Sequence, residues 1–566
     1  MPASQSITAL KPHYPVLIIG AGINGCGTFR DLALQGVDCL LIDRGDICEG
    51  ASAAPSRLIH GGIKYLETGE FRLVRESAME RNRLLRNAPH YVKPLETVLP
   101  VQSWFGGIIP SAMRFLGLKA KLKDRGAVIT EIGLRIYDFY NRKVRALPDH
   151  RFFTSRRLRA EYPAFDRKII AAGLYYEGRI THAERLGLEL VMDGLSANPG
   201  SALLTYARAE ASGEPGRLAI VDQLTGEKTF VTADVIINAG GAWIDKVNAG
   251  LGITSRHMGG SKGSHLIVRN AELYAALEGR MIYFGTADGR VNLVYPFFGN
   301  VLVGSTDIPV KDPDEASCSA DETDYMLSVV GEIFPDIPLT REQILLTYCG
   351  VRPLPRSEGV DIGAVSRDHA IGRDMLPGTE RAVLSLIGGK WTTFRAFSEQ
   401  AADAVLALLG KARKGSTQDL AIGGGRGFPE TAQDQRAWAE RLARAHGIEP
   451  TRSEALLQRY GTHAERVARF IAAHGDAPLR TLPGYTAGEF AFLCREEPTR
   501  RLADLLFRRT AIAMEGLLSP AAVEEVGPIA AKARGWNAER LAAEIAHTTF
   551  ELNRRSPAPA PARQAA

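Results

Sequence analysis

Nowhere in its 566 residues does this chain reach the ~18 consecutive apolar side chains that a membrane-crossing helix needs, so no spanning helix is expected. Cysteine is sparse too. Six residues (Cys26, Cys39, Cys48, Cys318, Cys349 and Cys494) lie scattered, with no CxxC pair. That argues against a disulfide framework and a zinc site, and fits a reducing compartment; no metal is expected. Met1–Lys11 lacks the apolar stretch of a secretory signal. Charge of one sign is missing as well: a net charge of +5 over this length tolerates anionic substrates or lipid but is too weak to argue for nucleic acid. No repeat of solenoid period is visible.

What is there reads as a globular chain. Apolar residues make up 45% and charged residues 23%, and the length suits two to four domains with ample core. The densest signal runs from Pro15 to Asp43. An apolar run, Val16 to Ile19, meets Gly20-Ala21-Gly22-Ile23-Asn24-Gly25; a helix-compatible segment follows to Gln35; Gly36 breaks it; a second apolar run ends at Asp43. This is the layout of a βαβ dinucleotide-binding unit. Gly20 allows the tight turn, Gly22 lets backbone approach a pyrophosphate, and Gly25 lets helix and strand pack closely. The helix N-terminus offers N–H groups and a positive dipole end to phosphate. Asp43 falls where a carboxylate can accept ribose hydroxyls. The unit leaves open which dinucleotide it takes.

Further along, residues 44–69 form a Gly/Ser/Ala/Pro-rich loop that could bring backbone against a flat ring, and 70–87 predict a helix. Residues 103–125 place Trp104, Phe105, Ile108, Ile109, Met113, Phe115, Leu116 and Leu118 before Lys119, Lys121, Lys123 and Arg125. Two readings stay open: an amphipathic membrane-interface segment, or a buried helix with a solvated basic end. Short β-type runs between 160 and 385 predict a mostly antiparallel sheet inserted into the nucleotide domain, with a hairpin turn at Gly299-Asn300. Asn238 to Trp243 and Ser385 to Lys390 repeat the strand-then-glycine pattern, which suggests one long ligand crossing several parts of the fold.

The expected organisation is a flexible lead (1–13), a dinucleotide-binding and substrate region (14–410), a Gly/Lys/Ser-rich linker (411–427), a helical domain (428–555) and a disordered Pro/Ala tail (556–566). Within 14–410, nucleotide-binding segments of about 14–100, 200–250 and 350–410 interleave with a substrate domain of about 100–200 and 251–349. The fold class is α/β: a Rossmann-like domain, an interleaved antiparallel β domain and a helical C-terminal domain.

Six stretches carry a resemblance. Gly20–Gly25, Leu58-Ile59-His60-Gly61-Gly62, Lys262-Gly263-Ser264-His265, Gly304-Ser305-Thr306-Asp307, Gly350-Val351-Arg352-Pro353-Leu354 and Gly388-Gly389-Lys390-Trp391-Thr392-Thr393 follow one another in order over nearly 400 residues. Together, and with Arg500-Arg501-Leu502-Ala503-Asp504 in the helical domain, they resemble the FAD-dependent, respiratory, quinone-linked glycerol-3-phosphate dehydrogenases. The resemblance implies FAD as cofactor and oxidation of sn-glycerol 3-phosphate to dihydroxyacetone phosphate, with hydride going to flavin N5. It also implies electrons passed to quinone at a membrane surface, and so a cytoplasmic protein held peripherally at the inner face of the cytoplasmic membrane. A homodimer is compatible with it. By the same resemblance, cofactor contacts fall on Gly20, Gly22, Ile23, Asn24, Gly25, Asp43, Arg44, Ser52, Arg57, Leu58, Gly61, Gly62, Gly240, Trp243, Gly389, Lys390 and Thr392.

Removing hydride from a secondary alcohol needs an acceptor, a base for the hydroxyl proton and cations for the phosphate. The resemblance makes His265 the candidate base, Arg352 the phosphate anchor through its bidentate fork, and Lys390 a stabiliser of reduced flavin. It adds Lys64, Tyr65 and Arg367 to the catalytic set. A structural role for His265 stays open, and Thr392 and Thr393 could instead cap the next helix. Lys64 departs from the family, which usually has arginine there; Thr181-His182-Ala183 stands where acidic residues are expected. Lys64, if it lines the substrate pocket, keeps a longer polyol phosphate, such as erythritol 4-phosphate, as the alternative substrate. An O2-using oxidase is the alternative in acceptor.

Overall fold

The computed structural model describes residues 6–63, 70–106, 126–141, 146–286, 290–356 and 368–557. Lys64, Tyr65, Arg367, residues 107–125 of the apolar–basic segment and the tail from 558 lie outside them.

The βαβ unit is built from β1 (His13–Ile19), α1 (Ile23–Leu34) and β2 (Cys39–Ile42). Gly36, at φ +77°, breaks the chain after α1. Val16, Leu17 and Ile18 are each 0% exposed, because layers cover both faces of the sheet. Val16 and Ile18 face α1 and the helix Phe394–Leu408, packing with Phe29, Leu32, Phe394 and Phe397. Leu17 and Ile19 face Ile7, Leu204, Ile220 and Leu376. Ile7, from the expected flexible lead, is thus a core residue.

β1 pairs in parallel with β2 on one side and with the strand Lys228–Asn238 on the other, and the latter pairs in parallel with Ala382–Ile387. Register aligns Ile19 with Ile42 and Asn238, and Asn238 with Ser385. The glycine-rich segments that follow these strands therefore leave from one level, at the C-terminal edge of the sheet. This is where open α/β sheets bind ligands.

The second sheet is mainly antiparallel. Ser261–Val268 pairs with both Asn300–Gly304 and Ile344–Arg352, and the sheet continues through Val291–Phe297, Met281–Gly285, Val92–Val101 and Ala171–Ile180 to Leu58–Ile59. The chain thus crosses into this sheet at Leu58, well before residue 100. It has returned by helix Ala183–Ala197, which packs on α1. The hairpin turn sits one residue earlier than the sequence suggested. Phe297 pairs with Asn300, and Phe298 and Gly299, at φ +48° and +75°, form the two-residue loop that the twist of the strands favours.

Residues 411–427 form an ordered strap along the nucleotide domain. Gln35 Oε1 accepts from the Lys414 amide at 2.7 Å, Arg413 Nη1 reaches Asp31 at 2.8 Å, and Glu189 accepts from the Gly424 amide at 3.1 Å. The helical domain beyond it has its own core, with Leu456, Val467, Phe490, Leu505 and Val526 fully buried. It is keyed to the loop after β2 by a buried ion cluster. Arg509 grips Asp46 through two bonds of 2.7 Å, and Arg508 bridges Asp46 at 2.6 Å and Asp504 at 2.7 Å.

Candidate active site

A cleft of about 1470 Å³ runs from the N-terminus of α1 to the face of the second sheet. At one end its wall is mostly backbone. Gly20, at φ +113°, leaves β1 in a turn that a side chain would block, since a Cβ there would meet the Ala239 carbonyl at 2.5 Å. Gly25 packs so closely that a Cβ would lie 1.9 Å from the Gly20 carbonyl oxygen. Gly22 occupies the N-cap of α1 without a capping side chain, and Ser52 Oγ accepts from the Ile23 amide at 2.9 Å. Asp43 follows β2; its carboxylate accepts from the amides of Ala21 (2.6 Å) and Gly45 (2.8 Å). Burial pushes its pKa up to about 6, against the lowering effect of those amides. Arg44 stacks on Trp243 at 4.6 Å, and both bond Asp314 from the other sheet's side of the cleft.

At the other end the wall is side chains. His265 sits mid-strand between Gly304 and Tyr348. Its ring stacks on Tyr348 (centroids 4.9 Å apart, planes at 11°) and fills the space Gly304 leaves, where a Cβ would be 2.2 Å from the ring. Nε2 lies 2.8 Å from Ser56 Oγ, while Nδ1 is buried and has no hydrogen-bond partner. Burial, then the charges of Arg352 and Arg57, lower the His265 pKa to about 3, so the ring is neutral near pH 7. Arg352 ends the neighbouring strand; its guanidinium fills the space beside Gly263 and donates to the Thr306 carbonyl at 3.0 Å and to Asp307 at 3.1 Å. Lys390 enters the same cleft after Gly388 and Gly389, both with positive φ.

Of the residues singled out in the sequence, Gly20, Gly22, Ile23, Asn24, Asp43, Arg44, Ser52, Leu58, Gly62, Gly240, Trp243, His265, Arg352, Gly389 and Lys390 line this cleft. Four others stand behind its wall. Gly25 serves helix packing. Arg57 is fully buried in a two-bond pair with Glu184 (2.6 and 2.7 Å). Gly61 donates its amide to Glu177 at 2.7 Å, and Thr392 Oγ1 accepts from the His60 amide at 3.1 Å. Thr393 is the N-cap of the following helix but makes no side-chain capping bond. His182 is buried against Tyr91 and Phe298, away from the cleft. Sequence reasoning passed over Ser56 and Tyr348, which hold the histidine, and gave no roles to Ser305, Thr306 and Asp307. That polar triplet, one glycine after the apolar run Val301–Val303, was the available signal.

Comparison with known proteins matches residues 15–394 to the family of FAD dependent oxidoreductases, and residues 415–541 to the C-terminal domain of alpha-glycerophosphate oxidase. The glycerol-3-phosphate dehydrogenase of Synechocystis sp. is 33% identical, over 88% of this chain and 89% of its own length. The chain belongs to the FAD-dependent glycerol-3-phosphate dehydrogenase family. Another member, from Pseudomonas aeruginosa, is 30% identical over 93% of this chain and 97% of its own. The fold extends to the glycerol-3-phosphate dehydrogenase of Bacillus halodurans, solved in complex with FAD, at a TM-score of 0.73 and 21% identity over 97% of this chain and 96% of that one.

FAD is the family's cofactor, and the residues present fit it. The cleft volume has room for a dinucleotide, Gly20 and Gly25 remove the Cβ atoms that would block the tight turn, and the N-terminal residues of α1, Ile23 and Asn24, line it.

Proposed function

We propose that the chain oxidises sn-glycerol 3-phosphate at its secondary hydroxyl to dihydroxyacetone phosphate and delivers the electrons to a quinone. One observation carries this reading most: a neutral, strand-held His265 and an arginine fork, Arg352, face one end of a cleft whose other end is a dinucleotide cradle. Bound FAD supplies the two-electron acceptor, through its N5. Gly20–Gly25 and the N-terminus of α1 would hold the pyrophosphate, and Asp43 the ribose. Ser52, Trp243, Gly240 and Gly389 would lie along the cofactor, with Lys390 adding positive charge on that side.

The chain's own residues account for proton and substrate. Arg352 would take the phosphate dianion by charge-assisted bonds, exchanging part of its contact with Asp307. The substrate hydroxyl, taking the place of the Ser56 hydroxyl beside Nε2, would hand its proton to His265. Arg352 is one of the charges that keep this ring a weak base. A bound dianion offsets that charge, so His265 becomes a better proton acceptor when substrate is in place.

Quinone as acceptor draws support from the surface. Trp104, Phe105, Ile132, Ile136 and Phe139 are exposed, with Phe105 at 73%, and the amide of Val128 donates to the Trp104 carbonyl, which ties the loop to the helix Ala127–Asn141. Such a patch fits contact with a membrane surface. Among the described residues no helix is long and apolar enough to cross a membrane.

The test is anaerobic bleaching of the flavin by sn-glycerol 3-phosphate and erythritol 4-phosphate side by side, followed by reoxidation with a soluble quinone or with O2. Fast bleaching by the first and rapid reoxidation by quinone without peroxide is the expected result. Bleaching only by the longer polyol phosphate would replace the substrate, and stoichiometric peroxide would make the protein an oxidase.

A further inference from the structure

Behind the substrate end of the cleft lies a carboxylate that does not itself line the cleft and touches no residue expected to react. Glu322, in the first turn of the helix Ala320–Val330, is 2% exposed. One oxygen accepts from Thr306 Oγ1 at 2.6 Å and Ser264 Oγ at 2.8 Å; the other accepts from Lys262 Nζ at 2.6 Å and the Ser319 amide at 2.9 Å. The last bond closes a capping box with Ser319, which accounts for one of the four donors. The other three come from two adjoining segments, Lys262 and Ser264 from the strand Ser261–Val268 and Thr306 from the loop after Asn300–Gly304. Burial alone would raise the carboxyl, but these donors outweigh it and hold it below the usual carboxylate range, so it stays charged.

Those two segments are the ones that carry the chemistry. Ser264 precedes His265 on the central strand of the site. Thr306 lies in the loop after Asn300–Gly304; its hydroxyl accepts from the Ser264 amide at 3.0 Å and its carbonyl accepts from Arg352 at 3.0 Å. The histidine and the arginine are thus each one link from the same buried carboxylate. A helix cap needs only the Ser319 contact.

We infer that Glu322 is a positioning residue for the substrate phosphate: it pins the Thr306 loop to the Ser261–Val268 strand and thereby fixes the Arg352 fork. This rests on the reading of Arg352 as the phosphate anchor. The carboxylate works through Thr306 and touches no substrate atom.

The experiment is a double-mutant cycle on the FAD-loaded enzyme with sn-glycerol 3-phosphate: wild type, Glu322→Gln, Arg352→Ala and the pair, each with flavin content and Tm measured. Glutamine keeps the shape and loses the charge that Lys262, Ser264 and Thr306 share. Glu322→Gln is expected to raise KM about tenfold with a much smaller change in kcat and with flavin content unchanged, and to add nothing further in the Arg352→Ala background. Thr306→Val, which deletes only the linking hydroxyl, is expected to move KM in the same direction and covers the case in which Glu322→Gln fails to fold. A normal KM in Glu322→Gln and Thr306→Val, alongside a raised KM in Arg352→Ala, overturns this inference and leaves the anchor standing. An equal KM increase from Glu322→Gln whether or not Arg352 is present overturns it too. A normal KM in Arg352→Ala removes the anchor itself, and this inference with it.

Discussion

The two ends of the cleft are built on different principles. The dinucleotide end draws its turn, helix start and acid from some thirty consecutive residues, Val16 to Asp43, and works with backbone: missing Cβ atoms and a helix terminus. The substrate end gathers Ser56, His265, Thr306, Tyr348, Arg352 and Lys390, spread over more than 300 positions, and works with side chains held by other side chains. Shape is set locally at one end and chemistry is set by topology at the other.

The largest effect that would sharpen this contrast is at the substrate end. His265→Ala is expected to lower the rate of flavin bleaching by about 10²–10⁴-fold while flavin content stays normal, as for loss of a general base. Normal bleaching would strip His265 of that role. The same variant has a signature in stability. The folded-state pKa of His265 is depressed to about 3, against about 6.5 for an unfolded histidine. Between those values the unfolded chain binds a proton that the folded chain refuses, so stability is lost as pH falls from about 6.5 towards 3. Thermal unfolding followed from pH 7 to pH 4 should fall more steeply for the wild type than for His265→Ala.

At the dinucleotide end a single methyl group should do comparable damage without touching any charge. Gly25→Ala puts a Cβ 1.9 Å from the Gly20 carbonyl oxygen, a clash with backbone that only movement of α1 relieves. A destabilisation of about 1–3 kcal/mol, by overpacking, and loss of most bound flavin are expected. Normal flavin absorbance per chain would show that the cradle adapts, and the contrast between rigid and chemical ends would fail.

The smallest expected effect lies where the ends meet. Asp314 bonds Arg44, Trp243 and Lys246 across the cleft mouth, but the charged members, Asp314, Arg44 and Lys246, are 40–51% exposed. Asp314→Ala should cost under about 1 kcal/mol of stability, as exposed pairs do. A stopped-flow measurement of FAD release should show a modest acceleration. A Tm drop as large as that of Gly25→Ala would mean the two ends are mechanically one unit.

Legibility followed the same divide. The turn, helix and acid of Val16–Asp43 could be read because spacing along the chain equals spacing in space there. His265 and Arg352 were named only by resemblance, because nothing local to either one shows that strands Ser261–Val268 and Ile344–Arg352 are neighbours. Arg57, expected at the cofactor, is committed instead to Glu184, a partner 127 positions away. The strap 411–427 has the composition of a free linker, yet its backbone finds partners in Gln35, Asn87 and Glu189.

By itself, then, the sequence determined the βαβ unit, the alternation of strand and glycine, the antiparallel runs and the helical C-terminal region, since each is a matter of local conformational preference and hydrophobic period. Only the tertiary structure decided that Gly263 and Gly304 leave room for an arginine and a histidine, that Tyr348 and Ser56 hold that histidine, and that Arg508 and Arg509 close on Asp46 from more than 460 positions away. These are contacts between segments that chain spacing keeps apart, and a side chain's partner is chosen by which strands lie side by side, which no short stretch of residues contains.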